Sequence, residues 1–297
     1  MTVLNLPADV ERFLGEEPHA ERLTIRFDPI TLEDLRRVVA SPKATHLRSI
    51  YMSGEIGDDG LYVLAEAEKL GGLADLTVWS WFDEITSAGL NSLARRSWRL
   101  ESLHLSRNKE LGDAGLRMLS QASWLDSLRS LELSSIGATA DGIEAFFAVA
   151  KLPRLERLAL GTDQVRASDP EDAIGDRGVV AITSCPLPSL SWLKLSGASI
   201  TDAGAIAIAN WEGFDRIRSL DLFQNRITDT GLDALLTSGH ATALEELTIG
   251  SNPCGASYWT ATDYDGSIAA GGAKDDAALA RVRDHVAQKL GRAIRVL

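Results

Sequence analysis

The stretch LESLHLSRNKELGDAGLRML (100–119) changes its periodicity halfway along, and that change decides the fold. Leu100, Leu103 and Leu105 form the pattern leucine-x-x-leucine-x-leucine, whereas Leu116 and Leu119 follow Gly115 at a spacing of three. Alternate residues share one face of a strand, and residues three apart share one face of a helix. The segment therefore reads as a short strand, a loop and a helix. IRSLDLFQNRITDTGLDALL (217–236) has the same grammar.

Working outward, the strand pattern starts at Leu47, Leu73, Leu100, Leu128, Leu155, Leu190, Ile217 and Leu244, with a weaker unit at Ala20. The intervals from Ala20 onward are 27, 26, 27, 28, 27, 35, 27 and 27 residues. A glycine opens the helical half in most units, as in Gly60-Leu61, Gly89-Leu90, Gly142-Ile143, Gly178-Val179, Gly204-Ala205 and Gly231-Leu232. Neither half can bury its apolar face alone. Stacked units place strand beside strand and helix beside helix, with a continuous leucine core between them.

Segments 100–119 and 217–236 resemble leucine-rich repeats of the ribonuclease-inhibitor-like type, and the resemblance extends over residues 20–255. It implies an α/β leucine-rich-repeat solenoid of about nine repeats. The expected shape is a curved horseshoe, with a parallel β-sheet on the concave face and helices on the convex face. Asn108, Asn225 and Asn252 occupy the position where the family carries asparagine or cysteine. Asp28, Glu55, Trp81, Ile136, Asp163 and Ala198 occupy it elsewhere. Residues 1–19 read as an N-terminal cap. Residues 256–297 read as a loop and a capping helix, with Leu279, Val282, Val286 and Leu290 on one side and RAIRVL as an edge strand. The whole is expected to be one continuous domain.

Composition narrows the function classes. The 297 residues include 30 Lys+Arg against 42 Asp+Glu, a net charge of −12. An acidic chain lacks the footprint of a nucleic-acid binder and is repelled by anionic membranes. No apolar run approaches the ~18 residues of a membrane span, and MTVLNLPADVERF carries no basic stretch ahead of an apolar core. Cys185 and Cys254 cannot build a disulfide framework or a four-thiolate zinc site. A cytoplasmic protein is the expectation, and 23 arginines against 7 lysines suit a bacterial, GC-rich genome.

With the leucines inward, strand alternation turns the third, fifth and seventh residues of each unit to the concave surface. Nine strands at ~4.8 Å span about 40 Å, enough for a protein or an extended peptide. Serines line the middle, and aromatics stand at Tyr51, Trp79 and Trp81 and again at Trp192 and Phe223. Charged residues face each other across neighbouring strands as His104 with Glu132 and Lys194 with Asp221, pairs worth ~0.2–1 kcal/mol each as cross-strand supports. These nine residues are the candidate partner-binding set. Trp98, Trp124 and Trp211 precede strands in return loops and are expected in the core. A secondary candidate is the insertion in the 35-residue interval, where Asp163, Asp169, Glu171, Asp172 and Asp176 against Arg166 suit a basic partner. Segment 255–274 is the other candidate loop.

An enzyme is not expected. His104, Glu132 and Ser102, Ser106 or Ser130 are the residue types of a hydrolytic triad, but an open sheet provides no strained elbow or oxyanion site. Asp263-Tyr264-Asp265-Gly266 begins like a calcium loop, and Lys274 stands where position twelve requires glutamate. His19, His46, His104, His240 and His285 fall in different units and form no metal cluster. The expectation is a non-enzymatic protein-protein interaction module without a cofactor, metal or nucleic acid. The alternatives are a regulatory or effector protein acting on another enzyme, or a purely structural scaffold.

Overall fold

In a computed structural model of the chain, the described residues are 2–15, 20–27, 30–55, 57–80, 85–162, 174–254 and 276–297. They fall into two compact units, Met1–Leu155 and Glu156–Leu297.

Unit 1 alternates strands and helices. The strands are β1 (Thr2–Leu4), β2 (Arg22–Arg26), β3 (Ser49–Gly54), β4 (Asp75–Ser80), β5 (Ser102–His104) and β6 (Ser130–Glu132). The helices are α1 (Pro7–Gly15), α2 (Leu32–Ala40), α3 (Gly57–Glu66), α4 (Ser87–Ala94), α5 (Gly112–Leu119) and α6 (Ala140–Val149). Each strand is parallel to the next, and Leu23, Ile50, Leu76, Leu103 and Leu131 stand in one register row. All five are buried. Thr2–Leu4 adds a strand that the sequence pattern does not show; it pairs with β2, and Asp9 ties the turn into α1 by accepting the Asn5 and Leu6 N–H groups.

Unit 2 contains β7 (Arg157–Gly161), β8 (Trp192–Ser196), β9 (Ser219–Asp221), β10 (Glu246–Thr248) and β11 (Arg295–Val296). Its helices are α7 (Gly175–Ser184), α8 (Asp202–Ala209), α9 (Asp229–Thr237) and α10 (Asp276–Leu290). Here Leu158, Leu193, Leu220, Leu247 and Val296 form the buried row of another parallel stack. Val286 of α10 is fully buried; residues 279 and 282 lie outside the described side chains. The units are thus α/β leucine-rich-repeat solenoid in build.

Four helices, α4, α6, α8 and α9, begin two residues ahead of their glycines, each behind a threonine cap. Thr201 and Thr228 accept the Ala203 and Thr230 N–H groups, as Thr86 accepts that of Ala88. Each cap is itself held by an aspartate one repeat earlier. Asp176 accepts the Thr201 N–H and Oγ1–H at 2.8 and 2.6 Å, and Asp202 does the same for Thr228 at 2.7 and 2.6 Å. In unit 1, Asp58 brackets Thr86 and Asp113 brackets Thr139. The glycine follows from this geometry. A Cβ on Gly204 or Gly231 would stand 2.6 or 2.5 Å from the bracketing carboxylate oxygen, which instead accepts the glycine N–H.

Asparagine closes the turn after some strands. Asn225 Oδ1 accepts the Ala198 and Ile200 N–H groups at 3.0 Å, and its Nδ2 donates to the Leu195 and Leu222 carbonyls. Asn252 likewise binds Ile227, Leu222 and Ile249. Asn108 donates to the Leu105 and Ser106 carbonyls, and its buried Oδ1 has no partner among the described residues.

Candidate functional site

Strand alternation divides each unit's sheet into a leucine side and an open side. On the open side of unit 1, Tyr51, Trp79, His104 and Glu132 are all half-exposed. Trp79 Nε1 donates to His104 Nε2 at 3.4 Å, and His104 Nδ1 lies 3.4 Å from a Glu132 carboxylate oxygen. An indole N–H only donates, so this chain requires a lone pair on Nε2 and the proton on Nδ1, which then donates to Glu132. Arg107, in the left-handed region with φ 64°, completes the group by placing its guanidinium 4.8 Å from the Trp79 ring centre. Such a contact is worth roughly 0.5–1 kcal/mol at exposed sites. The indole is therefore fixed from two sides while part of its surface stays open.

The floor beside this group consists of serines. Ser53, Ser106 and Ser134 are buried, and Ser49, Ser102 and Ser130 are half-exposed. Asp75, half-buried on the same side, has its carboxyl raised above the ordinary carboxylate range, first by burial and then by the nearby Glu101 charge.

On the open side of unit 2, Trp192, Lys194, Asp221 and Phe223 are half-exposed. The Arg157 guanidinium lies 4.0 Å from the Trp192 ring centre, on the register neighbour of that tryptophan. Lys194 and Asp221 are register neighbours too, but they do not form the expected ion pair. Asp221 turns back and accepts the Phe223 N–H at 2.9 Å. Further along, Arg295 pairs with Glu246 at 3.0 Å.

Trp81, Asp163, Asp169, Glu171 and Asp172 lie outside the described residues, as does segment 255–274. Asp176 lies inside them and is no open acidic loop residue, because its carboxylate is occupied by the Thr201 cap. Trp98 and Trp124 are buried as expected, and Trp124 donates to the Leu93 carbonyl. Trp211 is half-exposed, its ring against Gly213, and lines a shallow cleft of about 560 Å³ with Pro186, Leu187, Pro188 and Arg216. Sequence reasoning missed Arg107 and Arg157 as partners of the tryptophans. Register places Arg157 opposite Trp192, so that contact could have been anticipated. Arg107 sits past its strand, where alternation no longer indicates direction.

Among the described residues, no group of three or more His, Cys, Asp or Glu side chains could hold a metal ion. Among the same residues, no helix is long and apolar enough to cross a membrane.

Comparison with known proteins agrees with the repeat geometry. A leucine-rich-repeat family model matches residues 100–120, 187–209 and 217–236. No curated protein matches the sequence. Among solved structures, the yeast Rad7–Elc1 complex contains a chain that is 19% identical with a TM-score of 0.54, over 82% of this chain and 66% of that one. A Bacteroides fragilis protein is 13% identical, TM-score 0.48, over 95% of this chain and 75% of its own. An internalin of Listeria monocytogenes is 20% identical, TM-score 0.41, over 78% and 53%. The chain spans just under two thirds of the Rad7–Elc1 chain it matches. The register rows and the matched repeats together show an α/β leucine-rich-repeat fold.

Proposed function

We propose that the protein is a non-enzymatic interaction module that holds a protein or peptide partner on the concave, open side of its sheet. One observation carries this reading. In each unit a half-exposed tryptophan on that side has an arginine stacked on it, Arg107 on Trp79 and Arg157 on Trp192. A fixed aromatic surface binds with little loss of side-chain entropy, and buried Trp, Tyr and Arg dominate interface energies. The core leucines lie on the other side of each strand, so the open positions can vary without touching the fold. Two buried thiols outside any disulfide, Cys185 and Cys254, fit a reducing compartment.

A structural-scaffold reading draws on a different surface, the exposed apolar residues Val180 on α7 and Ile206 on α8. Affinity capture from the source cells separates the two. The baits are the wild type, a Trp79→Ala/Trp192→Ala variant and a Val180→Ser/Ile206→Ser variant. A partner lost only with the tryptophans supports the sheet face. A partner lost only with Val180 and Ile206 moves the function to the helices.

A further inference from the structure

Two cations on the open side of unit 2 form no ion pair among the described residues, in a chain where carboxylates outnumber cations by 42 to 30. Lys194 is half-buried, Arg157 is exposed, and among the described residues neither has a side-chain hydrogen bond or an ion pair within 4.0 Å. Nearby cations behave otherwise. Arg218 pairs with Glu245 at 2.6 Å, and Arg295 with Glu246 at 3.0 Å. Asp221 could have neutralised Lys194 from the next strand, yet its carboxylate is committed to the Phe223 N–H. A partly desolvated ammonium without a partner is costly, because it gives up water and gains nothing in exchange.

The surroundings suit a carboxylate. Stacking on Trp192 holds the Arg157 plane and leaves its edge N–H groups free to fork an oxygen pair. Beside Lys194 in register stands Ala159, which is buried, and Gly161 follows beside Ser196, so β7 forms a low floor between the two cations. Arg157 and Lys194 are diagonal neighbours, about 7–8 Å apart at their backbones. Side chains two apart on an extended peptide are separated by nearly the same distance, about 6.6–6.8 Å.

We propose that Arg157, Trp192 and Lys194 receive an acidic, extended segment of the partner, with carboxylates at alternate positions facing the two cations. This deepens the function above and rests on it, since it names the chemistry of what the sheet face holds. It also sets the partner's contact with unit 2 apart from the basic partner that the acidic insertion suggests.

The test pans a displayed random-peptide library against the full-length protein, against Arg157→Gln/Lys194→Gln and against Trp192→Ala. Circular dichroism and urea midpoints establish that each variant is folded. The expected result is enrichment of Asp and Glu at alternate positions with the wild type. An enriched peptide, made synthetically, should lose about tenfold or more in affinity for the double variant, and weaken with added salt. Its glutamine counterpart should bind the wild type no better than it binds the double variant. Peptides that need Trp192 but show no acidic enrichment would overturn the acidic segment and leave the sheet-face function standing. Basic peptides, or peptides indifferent to Trp192→Ala, would overturn both. Failure to enrich any peptide from the wild type overturns an extended acidic segment as the ligand.

Discussion

The two units present the same kinds of residue on their open sides and use them differently. In unit 1 the charges are spent internally: Trp79 donates to His104, His104 meets Glu132, and Arg107 covers the indole. In unit 2 Arg157 covers Trp192, but Lys194 has no ion-pair partner among the described residues, and Asp221 serves its own backbone. The turns differ in the opposite sense. Unit 2 has asparagines in successive repeats, with Asn225 and Asn252 both bonded across to the neighbouring repeat, whereas the Asn108 oxygen of unit 1 has no partner among the described residues. A repeat protein can therefore be complete in its core turns where its surface is unsatisfied. The turn governs stability, and the unpaired surface charge is what a partner can exploit.

The largest effect should come from the turns. Asn225→Ala strands the Ala198 and Ile200 N–H groups and two carbonyls, and should cost about 3 kcal/mol or more at ~1–3 kcal/mol for each orphaned group. Asn108→Ala orphans fewer groups and should cost about half as much on the same scale. Urea unfolding of both variants measures this, and equal losses would erase the contrast. Cys254 offers a local readout, since burial, reinforced by Asp229, pushes its thiol up to about 12. It should resist a thiol reagent at pH 8 in the wild type and label faster in Asn225→Ala.

Next in size is the bracket between repeats. Asp176→Ala removes the acceptor of the Thr201 and Gly204 N–H groups, and should lower stability by about 1–3 kcal/mol. Asp176→Asn keeps one acceptor oxygen and should recover part of the loss in the same unfolding experiment.

Smaller still are the surface pairs. A double-mutant cycle on His104 and Glu132 should give a coupling of ~0.2–1 kcal/mol. The corresponding cycle on Lys194 and Asp221 should give a coupling indistinguishable from zero. Comparable couplings would remove the distinction between the two faces.

Acid should act on the edges of both units. Hydrogen bonds from the Asn5 and Leu6 N–H groups hold the Asp9 carboxyl below its ordinary value in unit 1, and in unit 2 the bond with His285, aided by Lys289, does so for Asp233. A depressed folded value means a contribution present above the unfolded carboxylate value, ~3.9, and lost as pH falls through the folded one. Limited proteolysis between pH 5 and 2 should show α1 and α10 becoming susceptible below about pH 4. Asp233→Asn should already show the α10 cleavage at pH 5.

Much of this was legible beforehand. The leucine spacing placed Leu103 opposite Leu131 and Leu193 opposite Leu220, because a period of two admits a single register that buries every leucine. The same alternation put Trp79, His104, Glu132 and Trp192 on the open side. Other features were not legible. The glycines were visible as helix markers, but the cause at Gly89, Gly142, Gly204 and Gly231, an aspartate 28 to 31 residues earlier pressing on the helix start, exists only after stacking. His104 with Glu132 could be read from register, whereas Lys194 with Asp221 could not. Both pairs are register neighbours, and a short aspartate can choose its own backbone over a lysine.

By itself the sequence determined the repeat, its register and which side of every strand is buried, since these follow from periodicity and the hydrophobic effect. Tertiary structure alone decided which polar groups are satisfied. Hydrogen bonds and ion pairs depend on directions and distances of a few tenths of an ångström between residues 25 to 30 positions apart, as with Asp176 and Thr201. For that reason Arg157 and Lys194 emerge as cations without an ion pair among the described residues only in the folded protein.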